Sequence, residues 1–169
     1  MPSPAPESPV ISTPRLLLRL AEPDDVSAFT RLWADPDVRR FLGGPVAEER
    51  LATYQRHFAG LPGVFAVVAQ GEATVLGTVA IDPASRFEGR REVSYSFLPE
   101  HWGRGYAREA VAAAVGWAFD HVPSPDPSVV AVTQEANSRS RRLLEAIGMS
   151  LVGGFVEWDA PQVMYVSRR

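Results

Sequence analysis

Between His101 and Arg108 the chain reads His-Trp-Gly-Arg-Gly-Tyr-Ala-Arg, and a helical pattern begins within it. Gly103 and Gly105 let the backbone turn sharply and approach a ligand with no Cβ in the way. The helix that follows aims its free N–H groups and the positive end of its dipole back at the turn. A pyrophosphate suits such a place, with Arg104 and Arg108 as charge-assisted partners. The same glycines would also serve a tight strand-to-helix turn that binds nothing, because glycine punctuates many turns.

Two absences narrow the chemistry. All seventeen basic residues are Arg, so the lysine of a P-loop is missing, and Schiff-base catalysis with it. Cys is absent, which removes disulfides, thiolate zinc sites, iron–sulfur clusters and a cysteine acyl-enzyme. A dinucleotide fingerprint needs a small residue where Arg108 stands. Glu135 could imitate the ribose-binding acid of that fingerprint, so a nucleotide-dependent oxidoreductase stays open. A meander of strands precedes the turn, however, and too little chain follows it for a doubly wound sheet.

The elements that must position the turn are legible from their periods. Arg15–Leu20 is a compact apolar run between Pro14 and Pro23, and predicts a first strand. Asp24 is expected to cap a helix through Trp33, with Val26, Phe29, Thr30 and Trp33 on one face. Residues 34–45 hold two prolines and two glycines and read as loop. A second helix is expected over Ala47–Phe58, from Leu51, Tyr54 and Phe58. Val64–Ala69 and Val75–Ile81 predict a hairpin around residues 70–74. After a charged turn over Ser85–Arg91, the alternation in Glu92–Leu98 predicts another strand.

The second half changes character. Ala107, Ala110, Val111, Ala114, Val115 and Ala118 form the clearest helical stripe in the chain, small enough for the helix to lie close to a sheet. Val129–Thr133 reads as a buried strand, so Glu92–Leu98, the helix and Val129–Thr133 make a right-handed β-α-β unit with parallel strands. Ser138–Ile147 predicts a last helix with Gly148 just past its end. Val152–Trp158 and Val163–Ser167 close the chain as a strand pair.

At 169 residues, 46% hydrophobic and 22% charged, the composition fits one globular domain. The proline- and serine-rich residues 1–12 read as a disordered tail, leaving residues 13–169 as the single domain. No apolar run reaches membrane-spanning length, so a cytoplasmic protein without membrane contact is expected. The net charge of −3 speaks against a nucleic-acid partner.

Trp102-Gly103-Arg104-Gly105-Tyr106-Ala107 resembles the (Gln/Arg)-x-x-Gly-x-(Gly/Ala) coenzyme A motif of the GNAT acetyltransferase superfamily. Trp102 in place of the usual first residue is shared by its RimJ/RimL-like (ribosomal-protein-alanine acetyltransferase-like) branch. Three more segments match that branch in order. They are Thr13-Pro14-Arg15-Leu16-Leu17-Leu18-Arg19, then Glu92-Val93-Ser94-Tyr95, then Asn137-x-x-Ser140 leading to Leu143-Leu144-Glu145-Ala146-Ile147-Gly148-Met149.

The resemblance implies an α+β fold: a three-layer αβα domain whose mixed, mostly antiparallel central sheet is splayed between two parallel strands. Carried over, the splay falls near Phe97-Leu98-Pro99, opposite Val132-Thr133, and the pantetheine arm lies in it. The pyrophosphate would meet the backbone of Gly103, Arg104, Gly105, Tyr106 and Ala107, with Arg108 beside it. Asn137 would bond the pantetheine or order its own loop. The implied reaction is acetyl transfer from acetyl-CoA, as co-substrate, to a primary amine on a protein N-terminus or a small molecule. No metal takes part.

Without Cys the amine must attack the thioester directly in a ternary complex. Such a step needs a proton acceptor, an oxyanion donor and support for the leaving thiolate. Glu92 is the expected base, directly or through water, although a solvated charge beside Arg90 and Arg91 fits it equally. A backbone N–H of Phe97 or Leu98 is the expected oxyanion donor. Ser140 is the expected thiolate partner, or else a helix-start hydroxyl. Glu72, Glu88, His57 and His101 are weaker candidates. Phe41 and Trp158 fit an acceptor pocket, whereas Trp33 and Tyr54 fit core packing. A non-catalytic acyl-CoA-binding or sensing module keeps the turn without the acid and base. The sequence leaves a homodimer open.

Overall fold

A computed structural model describes residues 8–169. Eight strands form one sheet: β1 (Val10–Ser12), β2 (Leu16–Leu20), β3 (Val64–Ala69), β4 (Val75–Asp82), β5 (Arg91–Phe97), β6 (Ser128–Gln134), β7 (Ser150–Glu157) and β8 (Ala160–Arg168). Their spatial order is β1-β2-β3-β4-β5-β6-β8-β7. Every neighbouring pair is antiparallel except β5 and β6, which run parallel. Four helices cover the sheet: α1 (Val26–Ala34), α2 (Glu48–His57), α3 (Tyr106–His121) and α4 (Ser138–Ala146). Among the described residues no helix is long and apolar enough to cross a membrane.

Both faces of the central strands are buried, which is why their sequences are nearly unbroken apolar runs. Leu16, Leu18, Phe65 and Val67 point to one face and pack with Ala110, Val111, Ala114 and Ala118 of α3 and Leu144 of α4. The alternate residues Ala66 and Val68 point to the other and pack with Phe29 and Phe58. Trp33 and Tyr54 meet edge to face at 5.4 Å on that side, as core aromatics. The alanine stripe of α3 lies flat on the sheet as expected, and Gly148, at φ +91°, ends the last helix.

Three details differ from the sequence reading. Val10–Ser12, expected as tail, pairs with β2 as an edge strand and buries Ile11; residues 1–7 lie outside the described residues. Asp25 rather than Asp24 stands at the start of α1, because Pro23 opens a 3-10 turn ahead of the helix. Its carboxylate accepts from both terminal nitrogens of Arg19 and from the Glu22 amide. Burial pushes the Asp25 carboxyl up, yet those bonds outweigh it and hold it below the usual range.

The third is Arg91, expected in a charged turn and found buried at the start of β5. Its guanidinium donates to the carbonyls of Ala118, Val122, Asp126 and Ser128. It therefore satisfies the end of α3, where the helix dipole is negative, and fixes that end against the parallel strand pair.

Candidate functional site

The parallel ladder between β5 and β6 is only two residues long, Arg91 with Val129 and Glu92 with Val130. Beyond it each strand is held by its outer neighbour: β5 follows β4 to the pair Gly77–Phe97, and β6 follows β8 to the pair Gln134–Gln162. The two strands part from Val93 and Ala131 onward. The gap thus opens several residues earlier than expected, and Pro99 is not its cause; Pro99 begins the 3-10 turn that ends β5.

The gap is a cavity of about 420 Å³, lined on one wall by Ser94, Tyr95 and Phe97 and on the other by Thr133, Asn137 and Ser140. Phe41, from the loop between α1 and α2, closes one side, so its expected pocket role is geometrically possible. Trp158 stands apart: it sits at the β7–β8 turn, 81% exposed.

At the mouth of the gap lies the turn into α3. Gly103 and Gly105 both have φ +77°, the left-handed region that favours glycine. Gly105 occupies the cap position of α3 with no side-chain cap. Among the described residues, the six amides from Gly103 to Arg108 donate to no protein acceptor. Six adjacent unpartnered N–H groups at a helix start form an anion cradle. Arg104 and Arg108 are exposed beside it, and with Gly105 and Tyr106 the latter lines a second cavity of about 140 Å³.

The far end of the sequence braces that cradle. Arg15 donates from Nη1 to the Arg104 carbonyl at 2.9 Å and from Nε to Glu109 at 2.7 Å. Thr13 Oγ1 and the Arg15 amide donate to the same carboxylate. Burial raises the Glu109 carboxyl, but these bonds win and leave it below the usual carboxylate range. The Arg104 carbonyl is thus tied back, while the neighbouring amides have no protein partner among the described residues. This brace joins residues eighty-nine to ninety-six positions apart, and its only sequence signal is the Thr13-Pro14-Arg15 segment.

Trp102 fixes the other side of the turn. Its indole N–H donates to the Phe97 carbonyl at 2.8 Å, and the Arg139 guanidinium of α4 lies 4.0 Å above its ring. Arg139 lines both cavities, so the Arg139–Trp102 pair stands where one cavity passes into the other. Sequence reasoning missed Arg139, which carries no motif of its own.

The expected catalytic groups do not all converge. The Leu98 amide donates to the Leu76 carbonyl at 3.0 Å, so Leu98 is removed as an oxyanion donor. Antiparallel ladder bonds alternate along a strand. If Leu98 bonds β4, then Phe97 and Tyr95 turn their amides toward the gap. Ser140 lines the gap, and its amide donates to Asn137 Oδ1; Asn137 is therefore the cap of α4, and it lines the gap as well. The Ser140 hydroxyl meets the Tyr95 hydroxyl at 2.5 Å.

Glu92 lies at the closed end of the splay and does not line the cavity. It shares a pleat face with Ser94, two residues on, which does. Burial raises the Glu92 carboxyl, opposed by Arg86 and reinforced by Asp82 and Glu157. His101 borders the smaller cavity, away from the gap.

Residues 15–150 match the family model of the acetyltransferase (GNAT) domain. The protein YkkB of Bacillus subtilis is 30% identical over 162 residues, covering 90% of this chain and 92% of its own. An acetyltransferase (GNAT family) from Bacillus anthracis superposes with a TM-score of 0.83 at 26% identity, covering 95% of this chain and 98% of the other. Spermidine N-acetyltransferase from Vibrio cholerae, crystallised with CoA and spermine, shares the fold at 18% identity, with a TM-score of 0.76 over 92% and 96% of the two chains.

Proposed function

The chain belongs to the GNAT acetyltransferase family and is an N-acetyltransferase, and from that premise we propose that it carries an acetyl group from acetyl-CoA to a primary amine by direct attack in a ternary complex. The observation that carries this reading is the row of six unpartnered amides from Gly103 to Arg108 at the mouth of the splayed strands. Those amides, with Arg104 and Arg108, take the pyrophosphate. The pantetheine arm runs along the free backbone edge of β5 as an added strand would, and delivers the thioester between Tyr95, Phe97 and Ser140.

The thioester carbonyl takes a hydrogen bond from the Phe97 amide as negative charge develops on its oxygen. The amine enters from the side of Phe41. A lysine-type amine, with a pKa near 10.4, must lose a proton first, whereas an α-amine near 8 is already partly neutral. Glu92 takes that proton through a water on the Ser94 face of β5; its raised carboxyl makes it a better base than an ordinary Glu. Ser140 supports the leaving thiolate. The four matched segments, Trp102 among them, favour the RimJ/RimL-like branch. The acceptor is a protein N-terminus or a small-molecule amine, and the enzyme is a cytoplasmic one.

Release of free thiol from acetyl-CoA across a panel of α-amino peptides, polyamines and aminoglycosides tests the reading. Turnover with at least one class is expected. Saturable coenzyme A binding without turnover on any amine would replace transfer with a binding or sensing role.

A further inference from the structure

Tyr95 and Ser140 face each other across the splay, from β5 and α4, forty-five residues apart in sequence and with hydroxyl oxygens 2.5 Å apart. Both line the larger cavity. The reaction outlined above leaves the phenol without a part. Two hydroxyls can share a hydrogen bond either way round, and the direction decides where the serine proton goes.

A phenol is ordinarily the stronger acid of the two, which favours it as the donor. Burial pushes the Tyr95 hydroxyl up to about 12, against a smaller opposing effect of its bond to Ser140. It therefore keeps its proton throughout the neutral range. Ser140 Oγ is then the acceptor, and its own proton is left for the cavity. Among the described residues, that oxygen has no other partner.

We propose that Tyr95 is a positioning residue that directs the Ser140 proton at the departing sulfur of coenzyme A. The inference rests on the role given to Ser140 above. In the step concerned, the C–N bond forms and the C–S bond breaks with its electron pair left on sulfur. The amine proton leaves toward Glu92. The sulfur takes the Ser140 hydrogen bond as its charge develops, and is protonated from solvent afterwards. Tyr95 makes no net transfer, because a phenol near 12 lies far above an ordinary thiol near 8.5. It acts by occupying the serine lone pair, which polarises the serine O–H and strengthens it as a donor.

The test needs no acceptor. Coenzyme A and its desulfo analogue are titrated into the full chain from neutral to alkaline pH, and thiolate formation in the bound state is followed by its ultraviolet absorbance. The other charged side chains lining the cavity, Asp37, Arg40 and Arg139, are common to every variant. In the unaltered protein the bound thiol titrates below free coenzyme A. Tyr95→Phe is expected to raise it by about one unit, a tenfold loss in thiolate affinity, with desulfo-coenzyme A affinity unchanged. Ser140→Ala raises it at least as far, and the double variant no further.

Fluorotyrosine at position 95 keeps the shape and strengthens the donor, so it lowers the bound thiol. An unchanged bound thiol in both Tyr95 variants, with a shift in Ser140→Ala, overturns the role of Tyr95 and leaves Ser140 standing. No shift in any variant overturns Ser140 as the thiolate partner, and Tyr95 with it.

Discussion

Arg15 Nη1 lies 2.9 Å from the carbonyl oxygen of Arg104, across eighty-nine residues of sequence. That single donor ties the start of the first buried strand to the turn that opens α3. The same side chain grips Glu109, one turn into α3, and lies over the Tyr106 ring at 4.7 Å. The turn is therefore held by a residue from the far end of the sequence.

Replacing Arg15 by Ala should loosen the turn rather than disable the chemistry. The KM for acetyl-CoA is expected to rise about tenfold, the worth of one charge-assisted bond, with kcat nearly unchanged. Steady-state kinetics at varied acetyl-CoA check it. A fall in kcat at constant KM would place Arg15 in the chemical step instead.

Glu92 gives opposite signs for activity and stability. As a base it must be ionised, and its carboxyl is raised above the ordinary Glu value near 4.5. The acid limb of kcat/KM should accordingly lie above that value and vanish in Glu92→Gln, with kcat lower by about a hundredfold. Folding works the other way. A raised carboxyl binds its proton more tightly in the folded state, so stability is lost as pH climbs through the folded pKa. Glu92→Gln removes that loss and should leave the neutral-pH denaturation midpoint equal or higher. A destabilised variant with an unmoved acid limb would make Glu92 structural.

Gly77 controls the wall of the gap from the neighbouring strand. A Cβ there would stand 2.5 Å from the Ser96 carbonyl oxygen and 2.7 Å from the Phe97 ring. Gly77→Ala must push β4 and β5 apart at Phe97, the residue whose amide we propose as the oxyanion donor. A stability loss of about 1–3 kcal/mol is expected, measured by chemical denaturation, together with a fall in kcat. Full activity in a destabilised variant would show that the Phe97 amide is not needed.

The sequence made the turn legible because glycine spacing, helix start and missing lysine all bear on one short stretch. The sheet and the α3 stripe were legible for a similar reason, since local period follows burial. What it could not place are the long-range contacts. The splay begins just past Glu92, well before Phe97–Pro99, because each strand follows its outer neighbour rather than meeting a local breaker. Leu98 looked equivalent to Phe97 until the strand register assigned its amide to Leu76. Arg15, Arg139 and Tyr95 act through partners on other elements, which no spacing rule foresees.

Coenzyme A titrated calorimetrically into the unaltered protein and into Gly105→Glu tests the cradle most directly, with circular dichroism confirming that both are folded. Gly105 sits at φ +77° in the middle of the amide row, so a carboxylate there repels the pyrophosphate and strains the turn. Saturable binding to the unaltered protein and at least a hundredfold weaker binding to the variant are predicted. Equal affinity in the two would contradict the assignment of the Gly103–Arg108 amides to the cofactor.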